Sequence, residues 1–131
     1  MRTIKFRAWD NENNQMLDVQ ELNFEDCFYG GEMQIKTTMY NDYFDYREMP
    51  LMQYTGLHDK NGKEIYEGDI VKVRKWSSFE IEVVKFDKGC FYAGMHYGSS
   101  TRSTVKLIQP KLTEVIGNIY EHKELLNETN R

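Results

Sequence analysis

A chain of 131 residues that is 40% hydrophobic and 14% aromatic carries enough apolar material for one compact domain, or one with a small appendage, and is excluded from the disordered class. Seventeen Lys and Arg stand against 21 Asp and Glu, a net charge of -4, so the chain is not a strongly basic nucleic-acid binder. A mean hydropathy of -0.72, with no apolar run near the ~20 residues of a membrane span, excludes a helical integral membrane protein.

Residues 1–9 lack the apolar core of a signal peptide, and Cys27 and Cys90 are too few for a secreted disulfide framework, so a reducing cytoplasm is the expected location. The charge is uneven. Residues 1–56 hold 5 basic and 10 acidic side chains, whereas residues 57–131 hold 12 and 11.

The chain opens on a period of two, with Ile4, Phe6 and Ala8 on one face and Lys5, Arg7 and Trp9 on the other, which predicts a strand. Asp10-Asn11-Glu12-Asn13-Asn14 is a turn, because Asn and Asp tolerate left-handed backbone and bond nearby amides. Residues 16–22 then return as the second strand of a hairpin. Gly30-Gly31 marks a turn and residues 33–39 a strand. Residues 40–46 are an acidic aromatic stretch of no firm period.

Residues 51–57 are extended, Asp59-Lys60-Asn61-Gly62 is a turn whose Asn-Gly pair suits positive φ, and residues 63–66 return. Glu67-Gly68-Asp69 forms a corner before a strand over residues 70–76. For the hairpin around Ser77-Ser78, a three-residue loop with Lys75 opposite Phe79 sets Val73 against Ile81 and Val71 against Val83. The same register matches Arg74 with Glu80 and Lys72 with Glu82, and such pairs add roughly 0.2 to 1 kcal/mol each. A second three-residue loop, Asp87-Lys88-Gly89, sets Phe86 against Cys90. Val71, Val73, Ile81, Val83, Phe91, Ala93 and Met95 then share one inward face.

Two further strands follow, over residues 105–109 and 113–120, and residues 122–127 make a short helix or turn. The expected fold is mainly β. An N-terminal β-hairpin element (residues 1–56, with the acidic aromatic segment) packs on a small SH3-like β-barrel built from about residues 66–120 of the 57–131 region. Closure would remove the exposed edges of a five-stranded meander.

Three stretches carry a resemblance: Ile4-Lys5-Phe6-Arg7-Ala8-Trp9-Asp10; Met52 to Leu57 running on through Asp59-Lys60-Asn61-Gly62-Lys63-Glu64-Ile65-Tyr66-Glu67-Gly68-Asp69-Ile70-Val71; and Ile116-Gly117-Asn118-Ile119-Tyr120-Glu121. In these the chain resembles the YopX family of bacteriophage and prophage proteins. The resemblance implies a mainly β fold and a phage or prophage origin. It brings no established activity and hence no catalytic residue.

The residues themselves point away from catalysis. His58, His96 and His122 form no His-x-x-x-His pair, and neither cysteine has a Cys-x-x-Cys partner, so no metal site or cofactor is expected. Ser77, Ser78, Ser99 and Ser100 sit in turn-like contexts outside any Gly-x-Ser-x-Gly elbow, and no phosphate-binding glycine loop occurs. Two binding functions remain.

The expected role is a non-enzymatic accessory protein that acts by association with a protein partner, basic in character, or with itself. Its candidate interface is Tyr40, Asp42, Tyr43, Phe44, Asp45 and Tyr46, whose rings offer contact area at low rotamer entropy. The alternative is a nucleic-acid-binding module, with Trp76, Arg102, Lys106 and Lys111 as contacts. The negative net charge and the pairing of Lys72 and Arg74 with Glu82 and Glu80 count against it.

Overall fold

The computed structural model describes residues 2–25, 27, 30–87, 89–93 and 107–129. The chain is mainly β: β1 (Phe6–Asp10), β2 (Gln15–Asn23), β3 (Gln34–Thr37), β4 (Tyr43–Asp45), β5 (Leu51–His58), β6 (Glu64–Tyr66), β7 (Asp69–Lys75), β8 (Ser78–Asp87), β9 (Cys90–Ala93), β10 (Thr113–Asn118) and one short helix, α1 (Glu124–Thr129). Among the described residues these strands form two antiparallel sheets, ordered β4-β3-β2-β1-β5-β6 and β10-β7-β8-β9. Two compact units, Met1–Gln53 and Tyr54–Arg131, divide the chain.

In the first unit the Asp10–Asn14 turn joins β1 to β2 as its composition predicts. Asp10 Oδ1 accepts the backbone N–H of Glu12 at 3.1 Å and of Asn13 at 3.3 Å, and Asn14 takes the left-handed φ of 51°. β1 lies between β2 and β5, and Ala8, Trp9 and Asp10 are all buried although they alternate between faces. Ile4, expected to share a face with Phe6 and Ala8, lies before the strand and is 62% exposed. Among the described residues Ile35, Leu17, Met49 and Met52 complete the buried apolar set of this unit.

In the second unit the core gathers Ile65, Val71, Val84, Ala93 and Ile108, with Leu57, Val73, Phe91 and Val115 packed against it. The turn after β5 is built by Asp59. Its Oδ1 accepts the amides of Asn61 (2.8 Å) and Lys63 (2.9 Å), and its Oδ2 accepts that of Val115 (2.9 Å), tying the turn to β10. Burial works to raise the Asp59 pKa, but these amides outweigh it and the carboxyl titrates below its ordinary value.

At the corner before β7, Asp69 Oδ2 accepts the Tyr66 amide at 2.8 Å and Gly68 takes a φ of 81°. After β10, Asn118 Oδ1 accepts the amides of Tyr120 and Glu121. The polar residues Asp10, Asp59, Asp69 and Asn118 within the stretches that carry the family resemblance therefore build turns.

The expected hairpin register is corrected by one residue. Both connections close in two residues, not three. Lys75 pairs with Ser78, Arg74 with Phe79, Val73 with Glu80, Lys72 with Ile81, Val71 with Glu82 and Ile70 with Val83, while Val84 pairs with Ala93 and Asp87 with Cys90. Directly paired residues share a face, so Val84 and not Val83 joins Val71 inside, and Ile81 and Val83 turn to the face of Ile70 and Lys72. The two slips cancel at β9, which leaves Phe91 and Ala93 on the face of Val71; Met95 lies outside the described residues.

Two-residue loops are the commonest hairpin connections because their twist matches that of the flanking strands, and the register they set leaves Val84 1% exposed and Ile81 and Val83 half-buried.

The expected closed barrel is likewise corrected: among the described residues the second sheet is open, with β9 and β10 as its outer strands. Of the strand expected over 105–109, Leu107 makes a single bridge to Tyr92, and residues 105 and 106 lie outside the described residues.

Candidate functional site

The acidic aromatic stretch becomes β4 and the bend before it. β4 pairs with β3 through Lys36–Tyr43, Ile35–Phe44 and Gln34–Asp45, and is the outer strand of its sheet among the described residues. Its six candidate residues divide by use. The Tyr40 hydroxyl donates to Asp10 Oδ2 at 2.6 Å and accepts from Asn13 Nδ2 at 2.6 Å, and its ring meets Phe44 edge-on at 5.6 Å. Asp45 accepts both Nε (3.0 Å) and Nη2 (2.9 Å) of Arg47, a two-pronged pair that holds its carboxyl below the ordinary range.

Tyr40, Phe44 and Asp45 are thus internal supports. Tyr43 and Tyr46 remain 46% and 39% exposed, and Asp42 is exposed. The Tyr43 hydroxyl donates to Glu21 Oε1 at 3.0 Å, which fixes its ring.

The second unit carries a basic pocket that the expected register had concealed. Lys72 and Arg74, two residues apart on β7, share a face with their cross-strand partners Glu114, Ile81 and Phe79. Lys60, from the Asp59 turn, comes within 3.7 Å of Glu114, and Lys111 arrives on the 3-10 turn Pro110–Leu112. These residues, with Phe79 and Leu112, line a cavity of about 150 Å³ that holds four cations against one carboxylate.

Lys72 Nζ stands 4.2 Å from the centre of the Phe79 ring. Lys75, not Lys72 or Arg74, bonds Glu80, at 2.8 Å. A larger cavity of about 670 Å³, walled in part by Trp76, Val73, Ala93 and Ile108, shares Arg74 and Leu112 with this pocket.

Of the expected nucleic-acid contacts, Lys111 lies in the basic pocket, Trp76 lines its neighbour and is fully exposed, and Arg102 and Lys106 lie outside the described residues. Lys60 and Phe79 were not among the expected contacts. Parity along β7 and β8 could have found Phe79, but only the fold brings Lys60 beside Glu114. Among the described residues no group of three metal-ligating side chains occurs, and Cys27 and Cys90 are free thiols. The Tyr54 hydroxyl lies 3.4 Å from His58 Nδ1, and His122 Nδ1 accepts the Asn118 amide at 3.2 Å.

The crystal structure of protein EF1440 from Enterococcus faecalis is similar to this chain, with 27% identity over 96% of this chain and 99% of that one, at a TM-score of 0.63. That of yopX from Bacillus subtilis is similar at 25% identity over 96% and 97%, with a TM-score of 0.57. No curated protein matches the chain. The family model described as YopX protein matches residues 5–127, a span that takes in the β1 strand, the Asp59 and Gly68 turns and the Asn118 turn. The chain belongs to the YopX family.

Proposed function

We propose that the protein is a non-enzymatic accessory protein of phage or prophage origin that works in the bacterial cytoplasm by protein association through the outer edge of β4. The observation that carries this reading is the contrast within one short segment. Tyr43 and Tyr46 present exposed rings, while Tyr40, Phe44 and Asp45 hold the strand in place. A rigid aromatic pair on a pre-ordered strand loses little entropy on binding, and an outer strand offers unpaired backbone groups to a partner strand.

Polar side chains elsewhere support binding over catalysis. Asp10, Asp59, Asp69 and Asn118 all bond backbone amides that build turns. The first unit's excess of acidic residues, with Asp42 exposed, favours a partner of basic character.

The test is the double substitution Tyr43→Ser with Tyr46→Ser. It is expected to leave the thermal unfolding midpoint nearly unchanged and to abolish capture of the partner from phage-bearing host cells, or self-association by sedimentation. A variant that folds and still captures every partner places the interface elsewhere.

A further inference from the structure

We propose that the second unit binds single-stranded nucleic acid, with a backbone phosphate seated among Lys60, Lys72, Arg74 and Lys111 and a base stacked on Trp76. This goes beyond association through β4, which belongs to the first unit. The smaller cavity, at about 150 Å³, lies below the roughly 300–1,000 Å³ of sites that enclose a whole small molecule, so it suits a small anionic group presented by a larger chain. Four cations against Glu114 make it locally positive although the chain as a whole is negative. The Lys60–Glu114 pair, at 3.7 Å and partly exposed, is weak enough for a phosphate to displace.

Trp76 supplies the second half. It occupies the β7–β8 turn at φ 40°, a left-handed position that Asn or Gly adopts more readily, and its side chain is 100% exposed. A large ring held in strained backbone and left in water carries two costs at one residue, and folding recovers neither. A contact outside the chain recovers the second. Arg74 and Leu112 line both cavities, so the cationic pocket, on the Lys72 face of β7, and the ring-bearing one, on its Val73 face, meet at these two residues. A polymer that alternates anionic groups with flat rings fits this layout. In a duplex the bases are stacked on each other, and an acidic peptide has no regular rings, which leaves the single strand.

The experiment titrates the intact protein into a labelled thymidine oligonucleotide and follows anisotropy at about 50 mM and about 200 mM salt. Intrinsic fluorescence is read in parallel, since Trp9 is 5% exposed and a quench therefore reports Trp76. Binding in the micromolar range at the lower salt, with quenching, is expected. Lys60→Gln with Lys111→Gln should flatten the slope of log affinity against log salt by about 1.4, two contacts at ~0.7 each. Trp76→Asn keeps a residue suited to the turn and should weaken binding roughly 5- to 100-fold.

A duplex of the same sequence, an abasic strand of the same length and poly-glutamate should each bind more weakly. Any of four results overturns the proposal: no binding at the lower salt, an unchanged salt slope in the double variant, unchanged affinity in Trp76→Asn, or equal affinity for the abasic strand or poly-glutamate.

Discussion

Tyr40 and Asp10, 30 residues apart, share a hydrogen bond of 2.6 Å from the Tyr40 hydroxyl to Asp10 Oδ2, with Asn13 Nδ2 donating to both oxygens that form it. This bond ties the segment before β4 to the β1–β2 turn. It also joins two stretches that the sequence presents as unrelated, a turn and an acidic aromatic run.

The bond makes stability depend on pH in a defined direction. The Tyr40 hydroxyl, then the Asn13 amide, hold the Asp10 carboxyl well below its ordinary value of 3.8, against the opposing effect of burial. A carboxyl lowered in the folded state contributes stability above its unfolded pKa and loses it as pH falls through the folded one. Tyr40 is raised above its ordinary 10.0, first by its bond to Asp10, so its share persists through neutral pH and is lost only in strong base.

Tyr40→Phe should therefore lower the unfolding midpoint near neutral pH, and the gap to the unsubstituted protein should narrow below about pH 3. Asp45 and Asp59 are also lowered, so the gap and not the absolute acid loss is the quantity to measure. A gap that stays constant with pH would show that the bond is not the source.

The β7–β8 register can be read from charge coupling. Lys75 and Glu80 meet at 2.8 Å while partly exposed, so reversing either alone should destabilise and reversing both should recover most of the loss, with a coupling of about 0.2–1 kcal/mol. The same cycle on Lys72 and Glu82, which lie on opposite faces, should give a smaller coupling. Urea denaturation of the seven proteins checks both, and a larger value for Lys72–Glu82 would restore the longer loop.

Gly117 is required by proximity and not by its backbone angles. A Cβ there would stand 2.7 Å from both Cγ and Nδ1 of His122 and 2.9 Å from its Cβ. His122 Nδ1 meanwhile accepts the Asn118 amide that follows the bulge between Val115 and Gly117. Gly117→Ala should push the imidazole away and cost about 1–3 kcal/mol, as overpacking does. The histidine ring resonances should shift in the same variant. Substituting His122→Ala in addition should relieve much of the loss, and an additive double variant would refute the clash.

Turns and alternation were legible because their causes lie within a few residues. Asp10, Asp59 and Asn118 bond amides two to four positions away, and Gly62 and Gly68 supply the positive φ that their turns require. The family motifs were legible for the same reason, since they combine these turn residues with the short strands beside them. The acidic aromatic segment was legible as a composition but not as a strand. β4 is only three residues long, and its pairing partner β3 lies across a bend.

The sequence alone determined a mainly β chain, its turn chemistry, its uneven charge and its family, all of which follow from short-range patterns. Tertiary structure decided the register of β8, where one residue of loop exchanges Val83 for Val84 in the core, because the twist of the paired strands favours the two-residue loop over the longer one that charge matching suggests. It also decided where the cations go. Lys60, Lys72, Arg74 and Lys111 come from a turn, a strand and a 3-10 turn up to fifty-one residues apart, and no local pattern measures that distance. The β10–β7 ladder, the Asp59 bond to Val115 and the Lys60 amide's bond to the Thr113 carbonyl bring them to one pocket.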